Sequence, residues 1–163
     1  MFLDIGMGLL LAALMGIITD TSFTLQLSAI GVAGCLWPDI DFLIWKARGK
    51  PLDHTAHQHR ELLHRPLLAI PIVTTVLWYW WGWQAGVLCG VATTSHFIHD
   101  TIGLGWGIRW FWPLDGRFYG YRSYGDQPTR LYVWTKAEQD QLCEEHGDRH
   151  WMNRNYGGFS RTM

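Results

Sequence analysis

Three short stretches of this chain gather the side chains that can hold a cation or move a proton. The first is Trp37-Pro38-Asp39-Ile40-Asp41. The second runs from His54 to His64 and contains four of the eight histidines. The third is His96-Phe97-Ile98-His99-Asp100. Carboxylates and neutral imidazoles together are a usual donor set for zinc, manganese or iron. Two carboxylates two residues apart repel unless a cation lies between them, and ionisable groups beside apolar segments are costly unless paired, hydrated or metal-bound.

Spacing sharpens some of these groups. His96 and Asp100 are four apart, about 40° around a helix, so both can reach one ion. His99 points about 100° from Asp100 and suits a substrate or an outer position. Asp39 and Asp41 diverge on a helix, but an extended or turning segment after Pro38 would let them flank a metal. His59 and His64 sit about 140° apart on a helix and converge only if loop gives way to helix between them. Pro66 as an early helical residue permits that. On helical spacing alone His57 and His64 are the better pair, and His54 reads as solvated.

Four apolar runs must position these groups: Phe2–Ile18, Phe23–Trp37, Pro66–Trp83 and Ala85–Ile98. A spanning helix takes roughly 20 residues, about 17 at the low end. Tight connections at Thr19–Ser22 and Gly82–Gln84 join the runs into two helical hairpins. Gly86/Gly90 and Ala29/Ala33 offer small faces for close approach in lipid. Mean hydropathy is near zero only because a polar tail dilutes this front half. The fold expected is therefore all-α and polytopic, with four transmembrane helices in two hairpins. Residues 1–113 would form the membrane domain and residues 114–163 a cytoplasmic tail. In that tail Thr135 and Glu138 form a capping box for a helix over about 136–146, stopped by Gly147. The last dozen residues are expected to be loosely ordered.

Charge placement supports this topology. All thirteen Lys and Arg fall in Lys46–Arg65 and Arg109–Arg161, and none precedes residue 46. With four spans both basic regions lie on one side, cytoplasmic by the positive-inside tendency, as do both termini. All three chemical clusters then share that face. A net charge of -1 gives no reason to expect nucleic-acid binding. Cys35, Cys89 and Cys143 are odd in number with no CxxC pair, so neither a disulfide framework nor a thiolate zinc site is expected. The apolar N-terminus, lacking a preceding basic residue or A-x-A site, reads as a retained membrane segment.

The pattern resembles the LexA-regulated, membrane-bound metal-dependent hydrolases, small bacterial inner-membrane proteins. Pro38-Asp39-Ile40-Asp41, His59-Arg60-Glu61-Leu62-Leu63-His64, His96-Phe97-Ile98-His99-Asp100-Thr101 and Phe111-Trp112-Pro113-Leu114 carry the resemblance, over about residues 1–114. It implies that Asp39, Asp41, His59, His64, His96 and Asp100 hold one or two divalent ions, zinc first, with manganese or iron also suited. Arg60 would meet an anionic group, and Glu61 or His99 would shuttle a proton. The implied partner is a membrane lipid or lipid-linked phosphoester in the inner membrane, and small helix faces allow a homo-oligomer. Departures stand at Glu61, Leu63 and Arg65, at Asp4 where the family has a histidine, and at His99 where an aliphatic residue is usual. Two other readings share these residues: a membrane di-iron oxygenase, and a non-catalytic metal-binding or transport protein.

Overall fold

The computed structural model describes residues 2–22, 24–51, 54–102, 106–122 and 128–146, with the side chains of residues 54–56 outside that description. Six α-helices and one β-hairpin make up the described chain: α1 Phe2–Ile18, α2 Leu25–Leu36, α3 Ile40–Ala47, α4 Pro66–Trp81, α5 Trp83–Ile102, β1 Phe118–Arg122, β2 Arg130–Trp134 and α6 Lys136–His146. The four expected apolar helices are all present, within a few residues of the runs that announced them. Short polar devices set their ends. Thr24 caps α2 by accepting from the Leu27 N–H at 3.1 Å. Gly82, at φ 87°, turns the chain between α4 and α5.

The second helix does not stop at Trp37. One tight 3-10 turn, Trp37–Asp39, carries the chain round Pro38 and straight into α3. No extended segment separates the two aspartates. Leu25–Ala47 thereby becomes a 23-residue rod, the one stretch among the described residues that is long and apolar enough to cross a membrane. The apolar helices α1 and α4 are shorter, at 17 and 16 residues.

Helix α5 is the axis of the bundle, with α1, α2 and α4 packed around it. It is also the most buried helix, and Leu88, Ala92, Thr93, His96 and Phe97 are almost wholly enclosed. Its neighbours turn large apolar side chains outward, including Leu10, Ile72 and Val76. Trp78, Tyr79, Trp80, Trp81 and Trp83 stand exposed around the α4–α5 turn, the kind of aromatic belt found where helices meet a membrane surface.

Glycine sets the interhelical distances, as packing in lipid favours. A Cβ on Gly86 would lie 2.7 Å from the Thr74 carbonyl oxygen of α4, and one on Gly8 would lie 2.6 Å from that of Gly31 in α2. The Gly86/Gly90 face thus serves as expected. Ala29 and Ala33 do not: α2 meets α1 through Gly31 and α5 through Gly34, leaving the two alanines beside a groove. Since backbone cannot yield, Gly8→Leu is expected to push α1 off the bundle and draw Asp4 away from His96. Metal affinity should fall about tenfold or more, as when a residue orienting a ligand is lost. Gly6→Leu, where a Cβ meets nothing within 4 Å, is the matched control. Metal titration of both proteins checks the contrast.

The tail is more structured than one helix. Strands β1 and β2 pair antiparallel, Gly120 opposite Tyr132, and Ile108 bridges to Tyr119. The short strand sequences, without a clear apolar–polar alternation, carry little signal beside the runs preceding them. Thr135 and Glu138 form the expected capping box: the Thr135 N–H donates to Glu138 Oε2 at 2.7 Å, and the Glu138 N–H to Thr135 Oγ1 at 3.4 Å. The expectations for Gly147 and for the last dozen residues lie outside the described residues.

Candidate metal centre

Three elements meet at one end of the bundle: the Pro38 turn, the segment leading into α4, and the C-terminal half of α5. His64 lies just before α4, fully buried, held by flanking contacts. The Leu63 N–H donates to Asp41 Oδ2 at 3.3 Å, and the same oxygen lies 2.9 Å from His64 Nδ1. His96, on the buried face of α5, has its Nδ1 3.2 Å from Asp4 Oδ1 of α1. A carboxylate can only accept, so both rings donate from Nδ1 and turn Nε2 inward.

The inward nitrogens stand 3.3 Å apart. Two imidazole lone pairs at that separation repel unless a proton or cation sits between them. Asp39 Oδ1 completes a triangle, 3.9 Å from His64 Nε2 and 3.6 Å from His96 Nε2. Bonds of about 2.0–2.1 Å to a tetrahedral ion separate neighbouring donors by about 3.4 Å, so the triangle fits three corners of such a site. Asp100 Oδ2 lies over the histidine edge, 3.0 Å from His64 Nε2 and 3.6 Å from His96 Nε2. With both rings carrying their proton at Nδ1, this buried oxygen has no hydrogen-bond donor. Its fellow Oδ1 accepts from the Arg60 guanidinium at 2.9 Å. An orphaned carboxylate oxygen above two converging imidazoles fits a divalent cation.

Not every residue singled out from the sequence reaches this point. Asp39, His64, His96 and Asp100 converge. Asp41 stands behind His64, as Asp4 stands behind His96, each orienting a ring. The 3-10 turn explains the division, because it points Asp39 and Asp41 at opposite edges of the same imidazole. His59 stacks edge-on to His64, ring centres 5.8 Å apart, and its Nε2 is 3.9 Å from Asp41 Oδ1. His57, the choice of helical spacing, instead meets Asp140 of α6 at 3.2 Å.

Of the residues given catalytic roles, Arg60 is at the centre, whereas Glu61 and His99, the two considered for proton transfer, are not. The Glu61 carboxylate is ion-paired with Lys136 of α6, which ties the histidine segment to the tail. His99 Nδ1 lies 3.4 Å from Asp4 Oδ1, on the far side of that carboxylate from the cluster. Asp4 was legible only as a departure from a family pattern. Its role depends on a contact 92 residues away in sequence. Cys35, Cys89 and Cys143 are buried and free. Burial pushes the Cys143 thiol up to about 12.

Comparison with known proteins decides the family. Residues 3–148 match the family described as YdjM inner membrane protein. The chain belongs to that family. It is therefore a member of a bacterial inner-membrane protein family, and the match covers every residue of the cluster as well as the hairpin and α6. No curated protein and no solved structure matches the chain.

Proposed function

We propose that this chain is a four-span metal-dependent hydrolase of the inner membrane, with both termini and the metal centre at the cytoplasmic face. The observation that carries this reading is the 3.3 Å approach of the His64 and His96 Nε2 atoms, each ring anchored by a carboxylate behind it. His64, His96 and Asp39 would hold a divalent ion, and two imidazoles with a carboxylate suit zinc. Asp39, the most exposed member at 39% of its side chain, marks the open side. When bound, such an ion lowers the pKa of a water and polarises a phosphoryl oxygen.

The chain's own residues do the rest. Asp100 Oδ2 is placed to accept a proton from the attacking water, while its other oxygen keeps Arg60 in position. The Arg60 guanidinium, whose Nε is buried without a partner, can turn donors to an anionic group. Asp41 and Asp4 hold the histidines in the Nδ1–H tautomer. The substrate class favoured by membrane location and neighbouring basic residues is a lipid-linked phosphoester. The test is turnover of a panel of phospholipids and lipid phosphates by metal-loaded protein in nanodiscs. Phosphate or headgroup release that disappears in Asp39→Asn is expected. Stoichiometric metal with no release from any member would overturn the reading.

Two histidines and one carboxylate on one face also suit iron(II) oxygenases. Stoichiometric iron with an oxygen-dependent optical change would favour that chemistry instead.

Binding should depend on pH in a defined direction. Burial disfavours the His64 imidazolium, but the facing Asp100 and Asp41 carboxylates outweigh it and raise the pKa above the ordinary 6.5. In the metal-free protein the charged ring therefore contributes stability that is complete below about 6.5 and fades as pH rises through the higher folded-state value. A metal needs the neutral ring, so its stabilisation grows over the same window. The rise in Tm on adding zinc is expected to be small at pH 5.5 and large at pH 8. Thermal scans with zinc and with chelator check the crossing trends.

A further inference from the structure

A groove runs along the outside of α5 between α2 and α4, which flank it without packing closely on one another. Two cavities make it up. One, of about 470 Å³, lies between Ala29, Ala33, Val73, Leu77 and Trp81, with Cys89 of α5 behind. The other, of about 410 Å³, is lined by Leu63, Arg65, Leu68 and Val76. Trp37 and Val73 border both, so the two adjoin. From Leu68 to Trp81 the groove extends about 20 Å at 1.5 Å per residue, more than one leaflet's share of a hydrocarbon core about 30 Å thick.

Its position relative to the metal centre sets it apart from ordinary lipid-facing surface. Trp37 precedes Asp39 by two residues, and its indole is pinned by a 2.8 Å hydrogen bond to Thr93 Oγ1. Leu63 and Arg65 bracket His64. The apolar lining therefore ends at the segments that carry two of the converging side chains, Asp39 and His64. The mouth is also charged. Arg65 stacks over Trp112 at 3.8 Å and directs its Nε to a backbone carbonyl, that of Glu61, while the Glu61 carboxylate is occupied by Lys136. A guanidinium at the top of an apolar channel complements an amphiphile with an anionic head.

We infer that the α2/α4 groove binds an acyl chain of an anionic phospholipid and thereby presents the lipid's phosphate to the metal centre. This rests on the hydrolase reading for the fate of the phosphate, but not for the binding. The wall residues are small where the chain would pass, Ala29 and Ala33 on one side and Val73 on the other, with the Trp37 ring where the two cavities meet and Trp81 near the far end.

Photolabelling tests it. Full-length Asp39→Asn protein, chosen to retain uncleaved lipid, is placed in phosphatidylcholine nanodiscs with phosphatidic acid bearing an acyl-chain diazirine. Adducts are expected to concentrate on the α2 and α4 residues of the groove and to be competed by unlabelled phosphatidic acid but not by diacylglycerol. Ala33→Phe and, separately, Val73→Phe, each added to that protein, should cut this labelling at least tenfold. Both changes leave the converging residues untouched, and metal content in the otherwise native chain confirms folding. Labelling spread equally over Leu10, Val91 and Ile98, or unchanged by both fillings, would overturn the inference. So would an Ala29→Cys disulfide that joins two copies across the groove in place of lipid. If groove labelling persists but no phosphoester is cleaved, the binding site stands and the hydrolase reading falls. If a short-chain soluble phosphoester is cleaved while groove labelling is absent, the reverse holds.

Discussion

Replacing His64 with alanine is expected to lower metal affinity by at least a hundredfold. The residue is wholly enclosed, its Nε2 faces His96, Asp39 and Asp100, and its Nδ1 is bonded to Asp41 at 2.9 Å. Losing a residue that merely orients a ligand already costs about 10–100-fold, so losing the ligand itself must cost more. Asp41→Asn supplies the inner comparison. An amide can still meet the ring, but as a weaker acceptor or through the wrong tautomer, and a loss of about 10–100-fold is expected. Asp41 acts on the metal through His64, so the double substitution should bind no worse than His64→Ala alone. Titration of chelator-stripped protein with zinc measures all three. Additive losses would show that Asp41 contacts the ion directly, as the sequence pattern had suggested.

Arg60→Ala is expected to destabilise the metal-free protein severely and the loaded protein much less. The Arg60–Asp100 pair is 2.9 Å long, with side chains 20% and 8% exposed. Removing one partner of such a pair leaves a charge stranded, at a cost of about 3–5 kcal/mol. A cation beside Asp100 Oδ2 would supply much of the missing charge. Unfolding of the variant in detergent, with zinc and with chelator, should therefore show a loss that zinc largely reverses. Arg60→Lys should fall between, since an ammonium lacks the planar fork that reaches Asp100 while leaving Nε toward the site. Equal losses in both conditions would place Asp100 away from the ion.

Much of this architecture was legible because long apolar helices write themselves plainly. Phe2–Ile18 and Pro66–Trp81 follow directly from apolar runs and their flanking turns. The capping box located α6 by a local hydrogen-bond pattern that needs no tertiary information. The site was harder to read. His96 and Asp100 share a helix, so their convergence follows from a period of 3.6 residues. Asp39 and Asp41 obey no such rule, because a single 3-10 turn at Pro38 decides which edge of His64 each one meets. Helical spacing favoured His57 as the partner of His64, but its true neighbour, His96, comes from another helix. The β-hairpin was missed because its two five-residue strands lack a strong alternating pattern.

The departures from the resembled family turn out to be spatially related. Asp4, standing where that family has a histidine, lies between His96 and His99, the latter at a usually aliphatic position. One sequence read residue by residue shows two unconnected oddities. The fold shows a single polar unit behind one of the two rings. Glu61, another departure, is the anchor that joins the histidine segment to α6.

The central claim is that His64, His96 and Asp39 converge on one metal ion with Asp100 at its edge. X-ray absorption at the zinc edge of stoichiometrically loaded protein tests it most directly. The spectrum should show only nitrogen and oxygen neighbours at about 2.0–2.1 Å, with outer-shell scattering from two imidazoles, falling to one in His96→Ala. A sulfur neighbour, or an imidazole count untouched by that substitution, would contradict the site.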